Sequence, residues 1–406
     1  MRPFFLICAL FALLAAPLAA QVSLPRVGVP DVGGVLDQAD DTLERSTREI
    51  ERQVEKLARD RLRRIDRLVR RNSDAIELDV SGAPARRGEL LVMDAPEEAL
   101  ERASQSGFTV LSRENIEGLD FAVVRLGVPE GMSLSEGQKE LRGLLPGAEI
   151  SADNLHFQSG NAGVAIVALS ASSTSSAGAP VGMIDGAPSS AVKVSEIRGF
   201  AKGAPYPSNH GSAVASLLAY AGAGPIRVAD VYGTDKAGGN ALAIAKGLGW
   251  LVARGSKVVT ISLVGPRNSV LGRSIAAAQS KGTVVVAAVG NDGPASPPSY
   301  PASYTGVVAV TAVDGKRRPL IEAGRALHLD YAAPGADIYG RNAKGRRVEL
   351  RGTSFATPLV AARTSQAIAR GRSWRSALDS EAEDLGAKGH DEIFGRGLVC
   401  ASCTGR

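Results

Sequence analysis

Apolar residues are spaced in three different ways along this chain, and the changes of spacing divide it. Between residues 37 and 72, Leu43, Thr47, Ile50, Val54 and Leu57 recur at three- and four-residue steps, and Leu62, Ile65 and Leu68 continue the stripe after a phase shift. That period predicts one long amphipathic helix without internal Pro or Gly, led by acids and closed by arginines as the helix dipole favours. Such a helix lies on a neighbouring domain of its own chain; a coiled-coil or docking helix is the alternative. Residues 75–86, with Val80-Ser81-Gly82-Ala83-Pro84, read as a linker. Short strand patterns follow at 90–93, 108–111, 121–126 and 148–151, with helical ones at 96–106 and 134–145. The order β-α-β-β-α-β predicts the split, ferredoxin-like α+β arrangement, with both helices on one face of an antiparallel sheet. Residues 158–180 are rich in Ser, Ala and Gly and read as a flexible joint or a strand-poor surface segment. Beyond them, continuous apolar runs at 181–184, 227–231, 258–261, 284–289 and 307–310 alternate with helical stretches at 211–221, 240–254, 271–281 and 354–370. Uninterrupted apolar strands separated by helices predict an α/β domain, a parallel sheet covered on both faces.

Composition narrows this picture. A length of 406 residues is too great for one ordinary domain, and 44% hydrophobic with 22% charged residues is ordinary globular composition that allows a sizeable core. The formal charge of +5 is mostly local, because Arg59, Arg61, Arg63, Arg64, Arg67, Arg70 and Arg71 crowd into the predicted helix. No aromatic residues interleave with them and no reading motif accompanies them, so nucleic acid is not an expected partner. Met1-Arg2, an apolar run from Phe4 to Ala16 and the small pair Ala19-Ala20 form the pattern of a secretory signal cut after Ala20. That implies a secreted or periplasmic protein; an uncleaved anchor is the alternative. No later run reaches about eighteen apolar residues, so no stable membrane insertion is expected. Cys8 leaves with the signal, and Cys400 and Cys403, in Cys-Ala-Ser-Cys, predict a small terminal disulfide loop. A zinc site would need two further ligands and only His390 is near, so neither metal nor cofactor is expected. The expected organisation is a signal at 1–20, a helical segment at 21–74, the α+β unit at 75–157 and the α/β unit at 158–406.

Three pieces of the α/β unit carry candidate chemistry. Val181-Gly182-Met183-Ile184-Asp185-Gly186 puts a carboxylate at the carboxyl end of an apolar strand, the edge where parallel sheets build their sites. Asn209-His210-Gly211-Ser212 opens a helix of small residues, and only His156, His328 and His390 compete with His210 for the part of a base. Gly352-Thr353-Ser354-Phe355-Ala356-Thr357-Pro358 opens another helix, whose first N–H groups face the same edge as its serine. Taken singly, these are a turn aspartate, a surface or capping histidine and a capping serine. Taken together, an acid, a base and a hydroxyl nucleophile lie at one edge of one predicted sheet, the set needed to activate a serine.

The blocks Ile-Asp-Gly, His-Gly-Ser-Ala-Val-Ala and Gly-Thr-Ser-Phe-Ala-Thr-Pro resemble the three signature blocks of the subtilisin family, in the family's order. Ala287-Ala288-Val289-Gly290-Asn291-Asp292-Gly293 is similar to its oxyanion block, and Ala333-Pro334-Gly335 and Phe394-Gly395-Arg396-Gly397 also fit. The resemblance covers about 180–400 and implies a serine endopeptidase acting on protein or peptide substrates. It implies Ser354 as nucleophile, His210 as general base and acid, Asp185 as the orienting carboxylate and Asn291 as an oxyanion donor. Ser262, Leu263, Val264 and Gly265 match the strand that pairs with an extended substrate, with Ala288 and Gly290 beside them. The segment 87–155 is similar in pattern to the family's inhibitory pro-domain, which implies self-processing, with the tail from Ala152 to Gly160 entering the cleft. The helix at 37–72 matches nothing in that pattern.

Several positions depart from the family. Ser212, Ala213 and Ser216 replace more usual residues that carry no proton. Val264 stands where glycine is most frequent and implies a narrow pocket for the residue before the scissile bond. The stretch 220–225 is short where relatives often carry an oxygen-rich calcium loop, so that site is expected to be missing. The competing readings are a catalytically silent binding module of the same fold, an esterase, which Gly-x-Ser-x-Gly would have marked, and an interaction protein working through the long helix.

Overall fold

The computed structural model describes residues 32–159, 161–165 and 178–403. The expected signal and the Ser-rich residues 166–177 lie outside the described residues. The chain divides into units of residues 1–50 and 51–406. A helix runs from Val32 to Arg71, and its part from Glu51 onward belongs to the second unit.

Seven strands of that unit form one parallel sheet, in the order Tyr331–Pro334, Val308–Val313, Val284–Ala288, Val258–Ile261, Val181–Asp185, Ile226–Asp230 and Glu196–Gly199. The five predicted apolar runs are the five central strands. They are mostly apolar, without alternation, because both faces are covered. Helices Asn209–Tyr220 and Thr353–Ala369 pack Leu217, Leu218, Phe355 and Leu359 against one face. Helices Ala241–Ala253 and Ser269–Ser280 pack Leu248, Leu251, Leu271 and Ile275 against the other. The edge strand Glu196–Gly199 had no apolar run to announce it and has no fully buried residue.

The second sheet is antiparallel. Its order is Thr109–Asn115, Ala122–Gly127, Pro84–Met93 and Glu149–Asn154, the split order expected from sequence. Helices Glu97–Gln105 and Leu134–Leu144 cover one face through Leu100 and Leu141, which meet Leu90, Val92 and Leu126. Leu91, Met93 and Val123 point the other way, onto the helices Ala241–Ala253 and Ser269–Ser280. This explains why 90–93 is apolar at every position rather than alternating. The contact is close: a methyl group on Gly249 would stand 2.2 Å from the Glu117 carbonyl oxygen.

Three expectations are corrected. Residues 75–86 are not a linker: Ile76–Leu78 pairs antiparallel with the start of Pro84–Met93, and the Asp79 carboxylate closes the turn by accepting from the N–H groups of Ser81 and Ala83. The Gly-Pro composition there marks a hairpin turn. Within the expected joint at 158–180, Asn161–Ala165 is a strand that pairs with Arg347–Arg351. The long helix also has no phase shift. Leu62 is 62% exposed, and the inward stripe runs through Val54, Leu57, Arg61, Ile65 and Leu68, with an arginine at a position where the pattern calls for an apolar residue.

The seam between the two sheets holds a buried acid. Asp153 accepts from the Leu242 N–H at 2.9 Å, at the start of a helix, with the Arg86 guanidinium 3.8 Å away. Burial nevertheless pushes its carboxyl up from 3.8 to about 7. A raised pKa in the folded state means that this contribution to stability is full below the unfolded value and is lost as pH rises through the folded one. The melting temperature is therefore expected to fall between about pH 4 and about pH 7, and Asp153→Asn, neutral throughout, to flatten that slope. An unchanged slope in the variant contradicts this reading of the seam.

Candidate active site

Asp185 is the last residue of its strand, His210 the second residue of the helix Asn209–Tyr220, and Ser354 the second residue of the helix Thr353–Ala369. All three lie at the carboxyl edge of the parallel sheet and are buried. The Ser208 hydroxyl caps the histidine's helix by accepting from the Gly211 N–H. His210 Nδ1 lies 2.8 Å from Asp185 Oδ2. A carboxylate only accepts, so Nδ1 carries the proton and Nε2 is the basic nitrogen. The other oxygen, Oδ1, accepts from the Gly186 N–H at 2.7 Å and from Gln158 Nε2 at 2.9 Å.

The geometry of Ser354 follows from two of its neighbours in sequence. Gly352 adopts φ +141°, a conformation closed to residues with a side chain, and lets the chain turn from strand into helix. Pro358 has no N–H, so the carbonyl of Ser354, four residues earlier, loses its helical partner. The Ser262 hydroxyl replaces it, donating to Ser354 O at 2.9 Å. The first N–H groups of a helix also lack internal partners. That of Thr353 donates to Asn291 Oδ1 at 3.0 Å, which leaves Nδ2 as the donor end of the Asn291 amide.

A segment of the same chain crosses this edge. His156 N–H donates to Gly239 O, and Tyr232 Oη donates to His156 O at 2.7 Å. Phe157 and Gln158 pair antiparallel with Val264 and Leu263. Ser159 N–H reaches Ser262 O at 3.4 Å, and Ser159 O accepts from the Ser354 N–H at 3.1 Å. The His156 ring lies against Gly265, where a methyl group would stand 2.6 Å from it, and burial pushes this imidazole down to about 4. Gly290 donates its N–H to Thr353 Oγ1, and Val264 faces it, its methyl groups 3.3 and 3.4 Å from where a Cβ on Gly290 would lie. Ala288 is buried at the end of its strand.

The structure thus brings together Asp185 and His210, and Ser354 with Ser262 and Asn291. It does not join Ser354 to His210. Ser354 Oγ donates to Ser262 O at 3.0 Å and meets Ser159 Oγ at 2.6 Å, while His210 Nε2 is buried with no hydrogen-bond partner among the described residues. Sequence reasoning placed the tail in the cleft but missed Gln158 and Ser159 as contacts. Their backbones pair with the strand Leu263–Val264 and with Ser262 and Ser354, and their side chains reach Asp185 and Ser354; lone polar residues in a short segment form no periodic pattern that would reveal such contacts.

A profile described as the subtilase family matches residues 187–397, a range that begins after Asp185. The chain is 33% identical over 186 residues to thermitase of Thermoactinomyces vulgaris, covering 45% of this chain and 65% of that one. It is 34% identical over 196 residues to subtilisin BL of Lederbergia lenta, covering 47% and 71%. The matched part therefore spans about two thirds of each relative's length. Fervidolysin from Fervidobacterium pennivorans, described as a keratinolytic enzyme related to subtilisin, superposes with a TM-score of 0.63 at 17% identity, covering 79% of this chain and 61% of that one. At that identity the likeness is one of fold.

The Ser262–Pro358 relationship makes a stability prediction. Ser262→Ala leaves a buried carbonyl unpaired and should cost about 1–3 kcal/mol in denaturant unfolding. Adding Pro358→Ala restores an N–H within reach of that carbonyl and should recover part of the loss. Simply additive losses would contradict the pairing.

Proposed function

This chain belongs to the subtilase family of serine endopeptidases, and we propose that it hydrolyses peptide bonds outside the cytoplasm through Ser354, His210 and Asp185, after cutting its own chain once. The observation that carries the proposal is the peptide already lying across the site, with the Ser159 carbonyl on the Ser354 N–H. In this reading Ser159–Gly160 is the first bond cut. Ser354 Oγ attacks the Ser159 carbonyl carbon while its proton passes to His210 Nε2. The Asp185 carboxylate holds the imidazole in that tautomer and stabilises its charged form. The oxyanion takes the Ser354 N–H and Asn291 Nδ2. The imidazolium then gives its proton to the Gly160 nitrogen, which leaves, and water, deprotonated by His210, hydrolyses the ester and regenerates Ser354. The segment 75–159 stays as a product-like inhibitor until it is released or degraded. Location outside the cytoplasm rests on the signal pattern at 1–20 and on the Cys400–Cys403 disulfide. Among the described residues no helix is long and apolar enough to cross a membrane.

A fluorophosphonate probe tests the nucleophile. Processed protein should label at Ser354 and Ser354→Ala should not; a folded, processed protein that resists the probe would sink the proposal. Asn291→Ala should lower kcat about a hundred- to thousandfold with little change in KM. Pocket size is testable too. Val264 narrows the space beside Gly290, and the residue before the proposed cut, Ser159, is small, so peptides with Ser or Ala before the cut should be preferred. Val264→Gly should extend cleavage to Phe and Leu, and wild type that already cuts best after Phe contradicts this.

A further inference from the structure

We infer that the helical segment 57–69 is a second clamp on the peptide that fills the cleft, docked on a surface that begins at Asp292, beside Asn291, and ends at Ala237. The inference rests on the reading of the cleft given above. Arg61 Nε lies 3.2 Å from Asp292 Oδ2, and an Arg64 guanidinium nitrogen lies 2.5 Å from Oδ1. Both oxygens of one carboxylate are thus held by one helix, one turn apart. Leu57 packs beside them on Gly293, where a methyl group would stand 3.1 Å from its Cβ. Three turns further on, Leu68 and Val69 pack with Ile76, Leu155 and Phe157 against Ala237. Just past the helix, Asp74 pairs with Lys236 at 2.7 Å.

These contacts sit on opposite rims of the cleft. Asp292 and Gly293 follow the oxyanion residue Asn291, and Ala237 precedes Gly239, whose carbonyl holds His156. The span from 57 to 69 is about 18 Å of helix, and the peptide 155–159 runs between its two ends. An arginine in the inward stripe now has a purpose. Position 61 meets an acid rather than a core, and the helix fits a surface with a carboxylate at one end and an apolar patch at the other.

A cut at Ser159–Gly160 removes the covalent tether. The peptide then stays through its backbone pairing, the sheet seam and this clamp. Two linked attachments hold far longer than either alone, because the loss of one leaves the other to restore it. The ion pairs are partly exposed, with the Asp292 side chain at 21%, so they weaken with salt.

The test uses the whole chain and separates two readouts. Intact mass follows the cut, and the delay between the cut and the onset of hydrolysis of an external peptide follows release. Arg61→Ala/Arg64→Ala should be cut at the wild-type rate and released several-fold to about tenfold sooner. Raising salt to about 0.5 M should shorten the wild-type delay and leave the variant's unchanged. Complete cutting with an equal delay overturns the clamp. A wild-type chain that is never cut overturns the cleavage reading instead. The clamp is then read directly in Ser354→Ala, where hydrogen exchange across 51–71 should quicken when Arg61→Ala/Arg64→Ala is added. Equal exchange overturns the clamp.

Discussion

The carbonyl of Ser354 has no partner in its own helix, because Pro358 brings no N–H, and the Ser262 hydroxyl supplies one. The rest of the site depends on that bond. Through it the strand that receives the peptide is fastened to the helix that carries the serine. Ser262 O then takes both the Ser354 hydroxyl and the Ser159 N–H, so one residue sets the distance between the Ser354 hydroxyl and the peptide. Asn291 makes a matching link on the other side by accepting from Thr353. The proline that looks like a defect inside a helix is the reason for this cross-bracing.

The parallel sheet explains why the site could form here. Asp185 ends a strand, while His210 and Ser354 begin helices, so all three reach one edge without any irregular excursion of the chain. Strands buried on both faces keep that edge rigid. The geometry is also poised rather than engaged. His210 is oriented by Asp185, but its Nε2 has no partner among the described residues while Ser354 is turned towards Ser262 and Ser159.

Much of this was legible in the sequence. Five continuous apolar runs gave the sheet, because burial on both faces leaves no room for alternation. Gly352, Ser354 and Pro358 could be read as a block, and their structural roles are local. Other features were misread for physical reasons. Val80-Ser81-Gly82-Ala83-Pro84 looked like a linker, but turn residues serve a hairpin equally well. Leu62 matched the helical period, yet the inward position is Arg61, because its partner is an acid on a loop more than two hundred residues away in the chain. Gln158 and Ser159 bind through both backbone and side chain, and lone polar side chains in a short segment belong to no periodic pattern that would mark such a role.

The central claim is that the peptide in the cleft is the enzyme's own first substrate. Intact mass and N-terminal sequencing of purified wild type beside Ser354→Ala test it most directly. The account predicts a wild-type fragment beginning at Gly160 and an uncut mutant. Wild type that stays full length, or a fragment that begins elsewhere, would contradict it.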